Sequence, residues 1–170
     1  MTAALRAALA AGLAPLARYR QFIVYKLVPR ANQPGKSDKL PCDSQTAEIT
    51  SAHNPAIWID ALTACNIADL FGEGYGVGFV FTEADPFFFI DIDGCLLADG
   101  AGWSLVALQI MEAFRGAYME VSQSGKGLHI IGSYSGIPPH GCTNKAFGLE
   151  FYHTGRFVAL TGVGAVGDAL

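Results

Sequence analysis

The sequence predicts an α/β domain of the α+β kind, built in two parts, whose later part is a mainly antiparallel sheet with helices packed on one face. Three patterns support this class: a central run of large apolar residues, pairs of apolar strands joined by glycine-containing turns, and stretches with apolar residues at helical spacing. The 170 residues suffice for one ordinary domain, and 51% hydrophobic against 15% charged residues exclude a disordered chain.

The first part, about residues 1–75, begins with an alanine-rich helix. The apolar stripe that would pack this helix consists of Leu5, Leu9, Leu13 and Leu16. A secretion signal fits less well, because the basic start is thin and Pro15 stands where a cleavage site should lie. Residues 22–28 then predict a strand, and residues 29–41 predict an exposed loop rich in Pro, Gly and Lys.

A second helix is predicted over residues 54–70. Its core-facing residues, at spacings of three and four, are Trp58, Leu62 and Cys65. The glycine-rich residues 72–78 follow it, but they lack the Lys-Ser/Thr pair of a phosphate-binding P-loop and lead into a strand. They therefore predict a turn.

The later part, about residues 76–162, is predicted to form the sheet. A strand at residues 77–81 precedes the central strand, which begins at Phe87. A helix over residues 103–115 presents an apolar stripe of Trp103, Ala107, Ile110 and Phe114. Two hairpins follow, one pairing residues 118–121 with 128–134 and the other pairing 147–152 with 157–161. The glycine-rich tail from residue 162 has the composition of a linker, which indicates a domain cut from a longer protein.

The net charge of −4 hides a strong asymmetry along the chain. Residues 1–39 carry seven Lys or Arg and one Asp, whereas residues 40–114 carry eleven acidic side chains and no Lys or Arg. This pattern suits an anionic ligand near the first segment and cations near the second, although each charge taken alone is typical of a solvated surface.

The four cysteines are far apart and form no C-x-x-C pair or zinc-finger spacing with a histidine. Buried free thiols in a reducing, cytoplasmic protein are therefore favoured over disulfides or zinc. No apolar segment reaches the length of a membrane span, so no membrane partner is expected.

Asp91 and Asp93 close the central strand, whose preceding residues are Phe87-Phe-Phe-Ile90. Side chains alternate along a strand, so the two carboxylates should lie on one face, roughly 6–7 Å apart at Cα. Two unpaired like charges beside such an apolar run would be costly, and a divalent cation between them would offset that cost. The alternative is a strand end at which both aspartates face water or cap a turn at Gly94.

Three further features carry candidate chemistry. The loop Ser122-Gln-Ser124-Gly125-Lys126-Gly127 is small and hydroxyl-rich, so its backbone N–H groups are suited to a phosphate, although such turns are common without that role. His129 follows within an apolar strand, where a lone histidine is more often a hydrogen-bonded core residue than a catalytic one. Glu150 is a single acid in another apolar strand and needs a partner if it faces inward.

Taken in order, the strand ending Asp91-x-Asp93, the segment Ser-x-Ser-Gly-Lys-Gly-Leu-His129 and the strand Leu-Glu150-Phe-Tyr resemble one known family. They are similar to the primase-polymerase domain of the archaeo-eukaryotic primase superfamily, in the form found in plasmid and viral replication proteins. Less specific similarities are an aromatic strand near the start, a Lys39-x-Pro41 step and a tryptophan in the second helix. The resemblance spans about residues 16–162 and implies a two-part fold with an RRM-like sheet that carries the active site.

The resemblance implies a DNA polymerase, or a polymerase that is also a primase, acting in replication of a plasmid, phage or other mobile element. Asp91, Asp93 and Glu150 would bind two Mg²⁺ or Mn²⁺ ions, and His129 with the loop of residues 122–127 would bind the triphosphate of a dNTP or NTP. Lys39 and Arg156 are candidate contacts to phosphates of the DNA template and primer. A helicase or a helical accessory domain is the expected partner in a full-length protein.

Two departures from the family pattern and two alternatives stand beside this interpretation. Cys42 replaces the usual aromatic residue after Lys-x-Pro, and no zinc-binding cluster is visible. The central strand also resembles the first motif of haloacid-dehalogenase phosphatases, but the later acidic pair that those enzymes need is missing. The other alternative is a non-catalytic nucleic-acid-binding domain of the same fold.

Overall fold

The computed structural model describes residues 2–98, 100–136 and 140–170, which form both helices and strands. The α-helices in these residues are α1 (Ala3–Leu9), α2 (Ala61–Phe71) and α3 (Leu105–Ala113), with short 3-10 helices at Leu16–Arg18 and Pro55–Ile57. The strands are β1 (Phe22–Pro29), β2 (Ser37–Cys42), β3 (Tyr75–Phe81), β4 (Phe87–Ile92), β5 (Tyr118–Val121), β6 (Leu128–Ser133), β7 (Thr143–Asn144), β8 (Leu149–Tyr152) and β9 (Arg156–Leu160). No helix within the described ranges has the length and apolar character needed to cross a membrane.

The strands form two antiparallel sheets, which confirms the predicted α+β class. The first sheet has the strand order β2-β1-β3-β9, and the second has the order β5-β6-β4-β8-β7. Helix α3 packs on one face of the second sheet, against Phe88, Ile90 and Ile130. Because side chains alternate, residues 87, 89 and 91 of β4 point to the opposite face. On that face Phe87 and Phe89 pack against aromatic residues of the first sheet.

One predicted hairpin is confirmed and the other is wrong. Strands β5 and β6 pair as expected, with Tyr118 opposite Ile131. In contrast, β8 pairs with β4 while β9 pairs with β3, so residues 147–161 pass from the second sheet to the first. The crossing occurs at Gly155, which has φ +70° and donates its N–H to the Phe81 carbonyl at 3.2 Å. Strand β3 also belongs to the first sheet. The second sheet therefore begins with β4 rather than at residue 76, where the later part of the chain was predicted to start.

The last five residues of the predicted loop at residues 29–41 belong to a strand, and only residues 30–36 connect the two strands. Residues 37–42 form β2, which pairs with β1 so that Lys39 lies opposite Leu27. Pro41 is tolerated because β2 is an edge strand of the first sheet. On the side of an edge strand that faces away from the sheet, a missing N–H donor breaks no hydrogen bond between strands. The hairpin connection is closed by an ion pair between Arg30 and Asp38, at 2.6 Å.

Two helices differ from their predicted extents. Helix α1 ends at Leu9, yet Leu13 and Leu16 are still buried because the following turns fold back on the helix. Helix α2 begins only at Ala61, since Asp60 caps it by accepting the Thr63 N–H at 2.9 Å. Trp58 therefore precedes the helix, and Leu62, predicted to face the core, is 63% exposed. The buried residues of α2 are Ala61, Ala64, Cys65 and Ala68.

The predicted stripe of the third helix is confirmed in part. Ala107 is fully buried, and Trp103, Ile110 and Phe114 pack against the same core. The helix itself is shorter than predicted, because Trp103 lies before it and Phe114 is its C-cap. The cysteine prediction also holds in part: all four thiols are free, and Cys142 is exposed whereas the other three are buried.

Aromatic side chains join the two sheets into one core. The ring of Phe79 lies 6.1 Å from that of Phe87, and the rings of Phe81 and Phe89 stack at 5.7 Å with an interplanar angle of 16°. Both contacts connect β3 with β4, which are consecutive strands in different sheets. Edge-to-face and offset stacked pairs of this kind add to the free energy of burying the rings.

Asp69 connects α2 with the start of the chain. Its carboxylate accepts the Thr2 hydroxyl at 2.7 Å, the Thr2 N–H at 3.1 Å and an Arg6 guanidinium N–H at 3.0 Å. Hydrogen bonds from Thr2, then from Arg6, hold the pKa of Asp69 well below its usual range. A depressed folded-state pKa contributes stability that is complete above the unfolded pKa of about 3.9 and is lost as the pH falls.

We expect Asp69→Asn to lower the free energy of unfolding by about 1 kcal/mol at pH 7, since the site is partly exposed and its ionic contacts are screened. Urea denaturation at pH 7 and pH 3 measures the effect. The difference between the variant and the natural chain should shrink at pH 3, where the unfolded carboxylate is mostly protonated. A difference that stayed constant or widened would contradict this account.

Candidate active site

Strand pairing places four ionisable residues in one row across the second sheet. Asp91 on β4 lies opposite Glu150 on β8 and, on its other side, opposite His129 on β6. His129 in turn lies opposite Glu120 on β5. Directly paired residues of antiparallel strands point to the same face, here the face away from α3. Three segments that are far apart in the sequence are thus brought together at one site.

Asp91 is the least satisfied member of this row. Its side chain is 20% exposed, and its buried Oδ1 atom has no hydrogen-bond partner. Burial raises the pKa of Asp91; His129 opposes that rise and Asp93 adds to it. A buried carboxylate oxygen without a donor is costly, so this atom is poised to accept a cation or a proton.

Asp93 lies just beyond the end of β4 and is exposed. Its N–H donates to the carbonyl of Gly148 at 2.9 Å, which holds it beside the start of β8. Gly148 has φ +61°, and a Cβ there would lie 3.1 Å from the Asp93 carbonyl oxygen, so glycine suits this close approach. Asp93 does not line the pocket described below, but its charge lies close enough to Asp91 to raise the pKa of that residue.

His129 is a core residue that also lines the site. It is 1% exposed, and its ring meets the ring of Phe89 edge to face at 5.3 Å. Its Nε2 atom lies 3.8 Å from Asp91 Oδ1, beyond hydrogen-bond distance, and its Nδ1 lies 3.0 Å from Glu120 Oε1. The structure thus shows the hydrogen-bonded core residue that was one of the two alternatives for His129, and its catalytic role stays a prediction.

Glu120 is the residue that the sequence interpretation missed. It is 1% exposed and lies beneath His129, on the strand Tyr118-Met-Glu-Val121. The available signal was the same one that singled out Glu150, namely an isolated acid within an apolar strand. Such an acid needs partners when it is buried.

The loop at residues 122–127 packs against the end of β4. Gly127 approaches it so closely that a Cβ there would lie 2.8 Å from the Ile92 carbonyl oxygen, and the Leu96 N–H donates to the Lys126 carbonyl at 3.0 Å. Much of the loop's hydrogen bonding is internal: Ser122 Oγ accepts the Gly127 N–H at 3.0 Å, and the Ser122 carbonyl accepts the Gly125 N–H at 2.9 Å. These bonds shape the loop. Ser124 and Lys126 are exposed, and a phosphate contact by the loop stays a prediction.

A pocket of about 90 Å³ lies between the two sheets at this row. The second sheet contributes Asp91, His129 and Glu150, and the first contributes Lys39 and Arg156. The Arg156 guanidinium stacks 4.9 Å from the centre of the Tyr152 ring. Four larger cavities of about 390–520 Å³, including one of about 520 Å³ beside Tyr19 and Phe87, do not combine acids, a histidine and two basic side chains as this small one does.

The acidic side chains in and beside the pocket are of the type that binds a hard divalent cation. Asp91, Asp93 and Glu150 offer carboxylate oxygens, which Mg²⁺ and Mn²⁺ prefer, and Asp91 Oδ1 lacks another partner. Among the residues that the structure describes, however, no group of three or more His, Cys, Asp and Glu side chains is already arranged to hold a metal ion. Metal binding would therefore require these side chains to converge.

Comparison with known proteins gives one informative similarity. No protein-family profile matches the chain. The chain is 31% identical over 152 residues to a protein named "DNA Primase-polymerase" from Nitratiruptor phage NrS-1, a match that covers 86% of this chain. The match covers only 20% of the phage protein, so the chain corresponds to about a fifth of that relative's length. The motif resemblance and this similarity agree, and the chain is related to a phage DNA primase-polymerase over most of its own length.

Proposed function

We propose that this chain is the nucleotidyltransferase part of a primase-polymerase, which adds nucleotides to a 3′-hydroxyl on a DNA template during replication of a phage, plasmid or other mobile element. The observation that carries the proposal is the row of Glu150, Asp91 and His129, with an unpartnered buried oxygen on Asp91. The similarity to the phage protein supports it independently.

Asp91, Asp93 and Glu150 would hold the divalent ions. When bound, such ions lower the pKa of the primer 3′-hydroxyl and stabilise the pyrophosphate leaving group. The chain itself supplies three carboxylates that neutralise the ionic charge, two of them on adjacent strands. Because β4 and β8 are hydrogen-bonded neighbours, the separation between Asp91 and Glu150 is set by the sheet rather than by a flexible loop.

The remaining residues of the pocket would position phosphates. Lys39 and Arg156 line the first-sheet side of the pocket. His129 lines the same pocket, with Nε2 on the side of Asp91, and Ser124 and Lys126 are exposed in the loop that precedes its strand. Donors held around the triphosphate orient the reacting phosphorus for in-line attack and neutralise developing charge.

Extension of a labelled primer on a DNA template is the direct test. The reactions contain dNTPs or NTPs in parallel, each with Mg²⁺, Mn²⁺ or a chelator. We expect template-directed products that require the metal ion, and the parallel tubes show which sugar is accepted. Products that form equally well in chelator would contradict the assigned roles of the three acids.

A non-catalytic nucleic-acid-binding domain of the same fold is the second candidate. It is favoured by one observation, that the described side chains include no ready-made group of three metal ligands. Thermal unfolding separates the two candidates, because a ligand that binds only the folded state raises Tm by mass action.

We expect millimolar Mn²⁺ to raise the Tm of the chain, with no such rise in Asp91→Asn. The reason is that the metal would neutralise the unpartnered Asp91 carboxylate and its acidic neighbours, an interaction that asparagine cannot provide. Differential scanning fluorimetry with and without the metal measures the shift. Equal shifts in both proteins would indicate binding elsewhere, and no shift in either would favour the non-catalytic domain.

A further inference from the structure

Glu120 occupies a cradle of hydrogen-bond donors inside the protein. Its Oε2 accepts the Tyr118 hydroxyl at 2.8 Å and the Gly162 N–H at 2.7 Å, and the Thr161 N–H is 3.1 Å from both carboxylate oxygens. Oε1 faces His129 Nδ1 at 3.0 Å. Residues Thr161 and Gly162 follow β9, so this one buried carboxylate connects both sheets.

The donors of this cradle favour one tautomer of His129. Backbone N–H groups can only donate, so both oxygens of Glu120 act as acceptors in this arrangement. The bond between Oε1 and His129 Nδ1 is then supplied by an Nδ1–H. Nε2, at the other side of the ring, is directed to the pocket beside Asp91.

We propose that Glu120 is a positioning residue that holds His129 through Nδ1–H, fixing the ring so that Nε2 is presented to the pocket. Its consequence for catalysis rests on the proposed function: a fixed Nε2 would meet the triphosphate without the entropic cost of ordering the ring. Partners of this kind on the far side of a functional histidine set its tautomer and orientation.

A merely structural role for Glu120 makes a different prediction. The bonds to Tyr118, Thr161 and Gly162 would join the sheets even if the imidazole were absent. Gly162 itself is tightly packed, since a Cβ there would lie 2.4 Å from the Ala4 backbone. If Glu120 only fastens these segments, its replacement changes stability but has no defined effect on the protonation of His129.

Glu120→Gln distinguishes the two roles by the tautomer of His129. The amide oxygen of glutamine must take the place of Oε2, because Gly162 and Thr161 only donate. Its NH₂ group then points at His129 Nδ1, which must become an acceptor, so the proton moves to Nε2. Tyr118→Phe is the matched control, since it removes a bond to the same carboxylate without touching the imidazole.

Long-range ¹H–¹⁵N NMR spectra of the histidines, recorded at about pH 8 without DNA, nucleotide or metal, provide the readout. His129→Asn assigns the signal among the four histidines. We expect a protonated Nδ1 in the natural chain and in Tyr118→Phe, and an unprotonated Nδ1 in Glu120→Gln. An unprotonated Nδ1 in the natural chain would overturn the inference, and this result does not require Glu120→Gln to fold. A folded Glu120→Gln in which the His129 tautomer is unchanged would overturn it as well.

Nucleotide kinetics then test the consequence by a double-mutant cycle. Glu120→Gln should raise the nucleotide KM about 10- to 100-fold, by analogy with the loss seen when the hydrogen-bond partner of a metal-binding histidine is removed. In a His129→Asn background the same change should alter KM by less than about threefold, because Glu120 acts through His129. Equal effects in both backgrounds would overturn the inference. Absence of polymerase activity together with the expected NMR result would contradict the proposed function alone.

Discussion

Replacing Asp91 by asparagine is expected to abolish primer extension, lowering kcat/KM by at least about a thousandfold. Asparagine keeps the shape of the side chain but removes the charge that would hold a divalent ion, an effect worth several kcal/mol of transition-state stabilisation. Without metal, the variant should also be more stable than the metal-free natural chain. Burial raises the folded-state pKa of Asp91, so its ionised form lowers stability at neutral pH, a cost that disappears as the pH falls through that raised pKa.

Steady-state extension and urea denaturation measure the two effects on the same preparations. Glu112→Gln is the matched control, because it also converts an acid to an amide. Glu112 is exposed on α3, the helix that packs on the opposite face of the second sheet. We expect this substitution to leave both quantities nearly unchanged. Extension by Asp91→Asn within tenfold of the natural chain would refute the role assigned to this carboxylate.

Truncation of Phe79 to alanine is expected to lower the free energy of unfolding by about 3–5 kcal/mol. Phe79 is fully buried, and its ring contacts Phe22 at 5.1 Å, Phe81 at 5.2 Å and Phe87 at 6.1 Å. The substitution leaves a cavity at the junction of the two sheets, which cannot collapse without moving β3 relative to β4. A loss of this size removes a large share of the stability of an ordinary domain.

Equilibrium denaturation with urea measures this loss, and Leu70→Ala is the control. Leu70 is 81% exposed on α2, so its truncation should change the free energy of unfolding by less than about 0.5 kcal/mol. If Phe79→Ala cost less than about 1.5 kcal/mol, the aromatic junction would not be the main contact between the sheets.

The central strand is an element that the local sequence pattern predicted correctly. Four large apolar residues followed by Asp91-x-Asp93 predicted a buried strand with acids at its end, and β4 runs from Phe87 to Ile92 in the middle of the second sheet. The pattern succeeded because apolar burial and alternation are properties of adjacent residues. The strand Leu149–Tyr152 was recognised for the same reason, and so was the short turn between β5 and β6.

The failures share a different cause. Residues 147–161 hold two strands and a glycine turn, which is a hairpin pattern, but each strand pairs with a partner far away in the sequence. In the same way, β2 is rich in polar residues and proline and becomes a strand only because β1 offers it an edge. Pairing partners are not encoded in the spacing of neighbouring residues, so tertiary context overrides the local preference.

The candidate site also combines features that local pattern predicts with contacts that depend on the tertiary structure. The sequence by itself determined the acids, the histidine and the apolar strands that carry them, because these depend on residue type and on the period of two along a strand. Only the tertiary structure decided that Lys39 and Arg156 face the acids from the other sheet and that Glu120 lies beneath His129. Those contacts depend on strand register and on the packing of two sheets, which bring together residues that no local pattern connects.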